Sequence, residues 1–174
     1  PYGQQFDIQG VPVVFHEAGH ILGSAMIEFH IDEKKVLFTG DLGNVPMPLL
    51  SPPEEIKDIN VLIIESAYGD RVHEDMDERK INLERAIEDT VTRGGTLMVP
   101  AFALERTQEL IYEINDLAEH GRIPRVPIFL DSPLSIRATE VYKRYQNYFN
   151  KATRTVIREG DDLFQFPGLH STLA

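Results

Sequence analysis

Apolar residues in the first third of the chain come in short, β-branched runs that predict strands. The runs occupy residues 11–15, 24–31 and 35–39, with glycine-containing connections between them. Short strands joined in this way are typical of an antiparallel β layer. A proline-rich stretch, NVPMPLLSPPEE, then predicts a loop at residues 44–55.

After residue 60 the pattern changes to an alternation of strand-like and helix-like segments. The continuous apolar run VLIIE is typical of a strand buried on both faces. The predicted strands are residues 61–65, 96–99 and 128–130, and the predicted helices are residues 77–93, 104–119 and 134–149. This alternation indicates an α/β arrangement with a parallel sheet and covering helices, and it places a domain boundary between residues 60 and 61.

Composition and charge limit the classes of function. The net charge of −11 argues against a broad, nonspecific phosphate-binding surface, although it leaves a local one open. The absence of cysteine excludes disulfides and thiolate metal sites. No apolar run is long enough to span a membrane and no signal peptide is visible, so we expect a cytoplasmic protein with no membrane partner. Oligomeric state cannot be read from the sequence, and a homo-oligomer stays open.

The segment His16-Glu17-Ala18-Gly19-His20 spells H-E-x-x-H, the zinc signature of metalloproteases. That chemistry needs both histidines on one face of a helix, but the preceding Val and Phe residues favour extended chain. Gly19 between the histidines would cost a helix about 1 kcal/mol relative to alanine. The third-ligand position of the longer motif holds Met26, whose thioether is a poor zinc ligand. The protease interpretation is therefore disfavoured.

A second candidate for metal chemistry is Asp41 in VLFTGDLG, directly after a predicted strand. The preceding glycine permits a tight turn, so the carboxylate can project from the strand end and bridge two metal ions. Taken alone, this residue is better explained as an ordinary turn aspartate.

Five blocks of the sequence, in order, resemble the β-CASP branch of the metallo-β-lactamase superfamily, a group of RNA-processing nucleases. They include bacterial and archaeal ribonucleases and the eukaryotic pre-mRNA 3′-end cleavage endonuclease. The blocks are FHEAGHILGSAMIEF, KVLFTGDLG, DINVLIIESAYGDRVHE, RGGTLMVPAFALERTQELI and VPIFLDSPLSIRATEVY. The resemblance implies that residues 1–60 are part of a metallo-β-lactamase domain and that residues 61–174 are part of a β-CASP domain.

The resemblance also implies roles for three residues. The metal motif G-H-x-x-G-S/A falls on residues 19–24, which makes His20 a zinc ligand. The T-G-D motif falls on residues 39–41, which makes Asp41 the carboxylate that bridges two zinc ions. An acidic residue followed by S-x-Y-G falls on Glu65, which in the family bonds a downstream histidine that assists the leaving group. We expect Glu65 to face the metal site from the second sheet, His16 to be structural or to support a ligand, and Glu17 to be solvated.

The sequence departs from the family at the first ligand block. An H-x-H-x-D-H cluster is not found among the six histidines, and the late histidines of the family are not found either. We therefore expect a segment of a longer protein. Because a two-metal site needs about three ligands per ion, we expect this chain by itself to bind metal weakly and to be inactive.

Several other side chains have both a functional and a structural interpretation. Arg106 either lies near the site or pairs with a glutamate of its own helix. Ser132 before Pro133 is better explained as a helix cap than as a phosphate contact. His73 is expected at the surface, where it could face RNA. Four aromatic residues share one helix, where packing is favoured over base stacking: Tyr142, Tyr145, Tyr148 and Phe149.

The predicted function is hydrolysis of RNA by a metal-dependent nuclease, with RNA as partner. A β-CASP relative that has lost its site and acts as a scaffold or RNA-binding subunit is the first alternative. Retention of His20, Asp41 and Glu65 argues against it. A hydrolase of a small ester, thioester or lactam is the second alternative, and the added α/β segment after TGDLG argues against it.

Overall fold

The strands predicted at the start of the chain pair side by side in the computed structural model, which describes residues 1–72 and 76–172, with residues 76 and 77 described by their backbone alone. Five strands form one sheet in the order of the sequence. They are β1 Gln5–Ile8, β2 Val11–Glu17, β3 Ala25–Ile31, β4 Lys34–Phe38 and β5 Val61–Ile63. The pairs from β1 to β4 are antiparallel, whereas β5 lies parallel to β4 with Val36 opposite Val61.

The division of the chain into compact units lies after Val72. The first unit is Pro1–Val72 and the second is His73–Ala174. The sequence places a boundary between residues 60 and 61, and the difference comes from β5. Its backbone bonds to β4 and thereby belongs to the first unit.

One face of the sheet in the first unit is covered by the chain after β4. Ala18, Met26 and Leu37 are buried at its centre, and Leu42, Ile56 and Ile59 pack against them. Leu49 and Leu50, from the proline-rich loop, are buried as well. The loop therefore supplies buried apolar side chains, whose burial stabilises the first unit.

The second unit consists of helices with one short parallel pair of strands. The elements are α1 Met76–Thr92, α2 Arg106–Glu119, β6 Ile128–Leu130, α3 Pro133–Arg144, α4 Lys151–Arg158 and β7 Leu169–Ser171. β6 pairs in parallel with β7. None of the described helices is long and apolar enough to cross a membrane.

Aromatic packing closes the core of the second unit. Tyr142 and Phe149 are buried, and their rings lie 6.5 and 6.2 Å from the ring of Phe164. Leu117 and Leu163 are also buried. The four aromatic residues of the predicted helix 134–149 therefore divide into two that pack inside and two, Tyr145 and Tyr148, that are exposed.

The fold class is confirmed as a mixture of an antiparallel layer, parallel strand pairing and helices, but four details differ. Residues 96–99 form no strand, and their apolar side chains are exposed, because extended propensity without a hydrogen-bonded neighbour does not make a sheet. β5 has exposed side chains rather than two buried faces. The helix predicted at residues 134–149 ends at Arg144, and a 3₁₀ turn at Gln146–Tyr148 follows. The sequence pattern did not predict β1, α4 and β7.

The predicted cap of α3 is confirmed. Ser132 has extended backbone, its Oγ accepts a hydrogen bond from the Ser135 amide at 3.2 Å, and Pro133 occupies the first helical position. Loss of such a cap typically costs about 1 kcal/mol.

We expect Ser132→Ala to lower the free energy of unfolding by about 1 kcal/mol, because it leaves the Ser135 amide without this acceptor. Urea denaturation followed by circular dichroism measures the change. Ser132→Asp is the matched control, since it retains a capping oxygen. Equal losses in the two variants would contradict the cap assignment.

Candidate metal and nuclease site

Three sequence-predicted site residues follow the carboxyl ends of three strands of the same sheet. His20 follows β2, Asp41 follows β4 and Glu65 follows β5. Since β2 and β4 are both antiparallel to β3, and β5 is parallel to β4, these three ends lie at one edge of the sheet. Glu65 thus comes from the same sheet as the other two, and the prediction that it belongs to a second sheet is wrong.

The loop that carries His20 is shaped by serine and glycine. Ser24 Oγ accepts hydrogen bonds from the backbone amides of His20 and Ile21, each at 3.2 Å. The Ser24 amide donates to the Ile21 carbonyl at 2.8 Å. Gly19 has a φ of +64°, a conformation that favours glycine. These bonds close a tight turn that presents the imidazole of His20.

The loop that carries Asp41 is fixed by backbone contacts on both sides. The Thr39 amide donates to the Ile63 carbonyl at 3.0 Å, and the Gly43 amide donates to the Ala18 carbonyl at 2.9 Å. Gly43 approaches the His20 loop so closely that a Cβ at this position would lie 1.9 Å from the Gly19 carbonyl oxygen. The two loops therefore contact each other through backbone that tolerates no side chain here.

His20 and Asp41 come together at this edge. The Nε2 of His20 lies 3.8 Å from the Oδ2 of Asp41, and the side chains are 39% and 74% exposed. Imidazole nitrogen and carboxylate oxygen are donor types that zinc accepts, at about 2.0 to 2.2 Å each. The 3.8 Å separation lets both reach one ion. No cluster of three or more His, Cys, Asp or Glu suited to a metal occurs within residues 1–72 and 76–172.

Glu65 connects the Asp41 loop to the end of β5. Its Oε1 accepts from the Leu42 amide at 2.7 Å, and its Oε2 accepts from the Ala67 amide at 3.0 Å. Its own amide donates to Thr39 Oγ1 at 3.2 Å. Because Leu42 is the next residue after Asp41, the carboxylate of Glu65 constrains the backbone that carries Asp41. The bond to a histidine that the family resemblance implies stays a prediction.

We expect Glu65→Gln to weaken RNA cleavage by the full-length protein about 10- to 100-fold, the usual range for a residue that orients a metal ligand. The amide cannot accept from both backbone N–H groups, so the Asp41 turn loosens. Initial rates on labelled RNA measure the loss, and Glu55→Gln, at an exposed position of the first unit, is the control. Equal rates in Glu65→Gln and the control would contradict the role.

His16 lies on β2, in a polar network with side chains from β3 and the proline-rich loop. Its Nε2 is 3.2 Å from Glu28 Oε2, and its Nδ1 is 3.2 Å from Glu54 Oε1. His30 Nε2 is 2.6 Å from Glu28 Oε1. His16 therefore has the structural role that was one of its two expected roles. Because His16 lies in a strand, the helical protease geometry does not form.

The prediction that Glu17 is solvated is wrong. It is half-buried, and its Oε1 accepts from the Gly19 amide at 2.8 Å. Burial raises the pKa of Glu17, against the lowering effect of the backbone bonds. The side chain therefore helps to shape the turn before His20.

We expect the buried Glu28 to make stability depend on acid pH. Burial acts to raise the pKa of Glu28, but the bond to His30 and the charges of Lys35 and His16 lower it overall, below 4.5. A lowered folded-state pKa contributes stability that is present above about pH 4.5 and is lost as pH falls through the folded value. Urea midpoints measured from pH 6 to pH 3 should fall less for Glu28→Gln than for wild type. An equal fall of the urea midpoint in Glu28→Gln and wild type would contradict this expectation.

Arg106 pairs with a glutamate of its own helix, which was the structural interpretation. Its Nη1 donates to Glu109 Oε2 at 3.0 Å within α2. His73 lies outside the described residues. The sequence interpretation assigned no role to Ser24, Gly43 or Glu54. Ser24 ends the G-H-x-x-G-S/A block and Gly43 ends TGDLG, so both carried a signal, whereas Glu54 did not.

The family model of the Beta-Casp domain matches residues 107–174. Ribonuclease TTHA0252 of Thermus thermophilus is 33% identical over 169 residues, which are 97% of this chain and 38% of the relative. An RNase J-like protein of Methanocaldococcus jannaschii is 38% identical over 161 residues, 90% of this chain and 38% of the relative.

A eukaryotic relative is similar over the same length. Endoribonuclease YSH1 of Saccharomyces cerevisiae is 35% identical over 170 residues, which are 91% of this chain and 21% of the relative. The chain thus spans well under half of the length of the relatives that it matches.

Proposed function

The chain belongs to the β-CASP branch of the metallo-β-lactamase superfamily, and from this premise we propose that the protein is a zinc-dependent ribonuclease that hydrolyses RNA phosphodiester bonds. The observation that supports the proposal best is the pairing of His20 and Asp41 at one sheet edge, 3.8 Å apart and open to solvent. Relatives with ribonuclease names match almost all of this chain.

The two donors fit a divalent metal site. We propose that His20 and Asp41 would both hold zinc. When bound, ions of this class lower the pKa of water and stabilise negative charge on a phosphoryl oxygen. Within the described part of the chain, His20 and Asp41 supply two donors, and three or more are not clustered there. We therefore propose that the remaining ligands lie elsewhere in a longer protein and that this chain alone is inactive.

Glu65 has two roles in the proposal. Its carboxylate holds the Asp41 loop through the Leu42 amide. Each carboxylate oxygen can accept a second hydrogen bond, so Glu65 can also orient a histidine of the longer protein. In hydrolysis, the oxygen of water attacks phosphorus and the P–O3′ bond breaks. The leaving 3′-oxygen takes a proton, and a 5′-phosphate remains. The Glu65–histidine pair assists that proton transfer.

The proposal includes the domain assignment. Residues 1–60 carry His20 and Asp41 and are assigned to a metallo-β-lactamase domain. Residues 61–174 are assigned to a β-CASP domain, within which the family model matches residues 107–174.

The test uses the full-length protein with 5′-labelled RNA, with added zinc and with a chelator. We expect cleavage that the chelator stops and that zinc restores, with products that carry a 5′-phosphate. Cleavage that persists in the chelator would overturn the zinc mechanism. RNA binding without cleavage would support the scaffold alternative, and hydrolysis of small esters but not RNA would support the small-molecule hydrolase.

A further inference from the structure

Positive charge is concentrated in residues 133–158 of this acidic chain. The segment holds six of its seventeen Lys and Arg residues and one of its 28 Asp and Glu residues. They are Arg137, Lys143, Arg144, Lys151, Arg154 and Arg158, and the acid is Glu140. The segment comprises α3, the 3₁₀ turn and α4, so a local cationic surface exists on a protein with net charge −11. Such a surface attracts a polyanion locally even when the total charge is negative.

Four exposed side chains of α3 and of the turn that follows it form a surface that we call the Arg–Tyr stripe: Arg137, Arg144, Tyr145 and Tyr148. Arg137 and Arg144 are seven residues apart, about two helical turns, and therefore lie on the same side of α3. Tyr145 directly follows the helix, and Tyr148 lies three residues further on in the 3₁₀ turn. The opposite side of α3 is buried and includes Ile136, Ala138 and Tyr142. The stripe is therefore fixed to the unit by its own core.

The two tyrosines of the stripe present open aromatic faces. Tyr145 and Tyr148 are 47% and 48% exposed, and their ring centroids lie 6.3 Å apart. Core packing already uses Tyr142 and Phe149, so it does not account for these two rings. The Arg154 Nη1 donates to the Asn147 carbonyl at 3.4 Å, which joins α4 to the turn that carries Tyr148.

The arginines of the stripe are available to an external anion. In the described part of this unit, arginine ion pairs join Arg93 to Asp89, Arg106 to Glu109 and Arg122 to Glu84. Arg137 and Arg144 are exposed and enter none of these pairs. A guanidinium matches a phosphate with two parallel donors.

We propose that the Arg–Tyr stripe binds single-stranded RNA, with phosphates on Arg137 and Arg144 and with bases stacked on Tyr145 and Tyr148. Guanidinium groups beside open aromatic rings are the combination that single-stranded nucleic acid uses, because unpaired bases can stack and paired bases cannot. The proposal rests on the proposed function for the identity of the polymer. It adds a contact surface on the second unit that is separate from the residues assigned to cleavage.

The test measures fluorescence anisotropy of a labelled twelve-nucleotide oligouridylate against this chain from low to moderate salt. Arg137→Gln/Arg144→Gln should weaken binding about tenfold and reduce the slope of log K against log salt by about 1.4, since each phosphate contact contributes about 0.7 for single strands. Tyr145→Leu/Tyr148→Leu should weaken binding about fivefold or more with the salt slope unchanged. Circular dichroism checks that each variant is folded.

Matched controls are Arg93→Gln/Arg125→Gln and Phe102→Leu, which remove two exposed arginines and one exposed aromatic residue elsewhere in the second unit. Both should bind like wild type. With heparin as the probe, the arginine variant should weaken binding and the tyrosine variant should not. The proposal is overturned if the chain does not bind the oligonucleotide at low salt, if arginine and control variants bind equally, or if a duplex RNA binds as tightly as the single strand.

The result of this binding experiment is distinguishable from the result of the cleavage test for the proposed function. Loss of binding in the stripe variants, together with a full-length protein that does not cleave RNA, would retain the surface and reject the nuclease. Cleavage by the full-length protein, together with stripe variants that bind like wild type, would reject the surface and retain the nuclease.

Discussion

Replacement of Asp41 by alanine in the full-length protein should reduce RNA cleavage by more than about 100-fold, a larger loss than for residues that only orient a ligand. The carboxylate lies 3.8 Å from His20 and is 74% exposed, so it has little role in packing. Its removal should therefore leave the free energy of unfolding nearly unchanged. Initial rates on 5′-labelled RNA and urea denaturation, measured on the same preparations, separate the two effects.

Asp70→Asn serves as the control, because Asp70 is exposed in the same unit and pairs with the neighbouring Arg71. It should retain wild-type rates. An Asp41→Ala protein that cleaves RNA at the rate of this control would show that the carboxylate takes no part in the reaction.

The Gly43→Ala variant should lose stability by roughly 3 kcal/mol, because the added methyl group has no space. The new Cβ would lie 1.9 Å from the Gly19 carbonyl oxygen and 2.3 Å from its carbonyl carbon. Both atoms are backbone, so no side-chain rotation relieves the contact, and the two loops must separate. We expect the urea midpoint to fall and RNA cleavage by the full-length protein to fall with it.

Gly95→Ala is the matched control for this steric argument. Its Cβ would meet the Thr90 Cγ2 at 3.6 Å, which is an ordinary contact, and Gly95 has no positive φ. The control should therefore have nearly wild-type stability. If Gly43→Ala were as stable as Gly95→Ala, the close approach of the two loops would be disproved.

Sequence periodicity predicted those elements whose apolar residues pack locally. β2, β3, β4, α1 and α2 form close to their predicted bounds, because the apolar pattern of each element is long or flanked by glycine. Residues 96–99 have the same apolar character but no hydrogen-bonded neighbour strand in the described structure. The pattern therefore predicted a strand where none forms. β7 has only three residues, and its strand conformation depends on pairing with the distant β6.

Motif spacing identified the residues at the sheet edge but not what connects them. His20 and Asp41 stand in G-H and T-G-D blocks that are visible in the sequence. The parallel pairing of β4 with β5 brings Glu65 to the Leu42 amide, and that pairing joins segments separated by a proline-rich loop. The exclusion of a side chain at Gly43 likewise arises from tertiary contact, which no local pattern encodes.

The most direct test of the central claim, that His20 and Asp41 hold metal together, is the metal content of the purified full-length protein by mass spectrometry. We predict about two zinc ions per chain in wild type, as a two-metal site requires. We also predict a clear loss of zinc in His20→Ala and in Asp41→Ala, but not in Asp70→Asn. Equal zinc content in all four proteins, or none in wild type, would contradict the account.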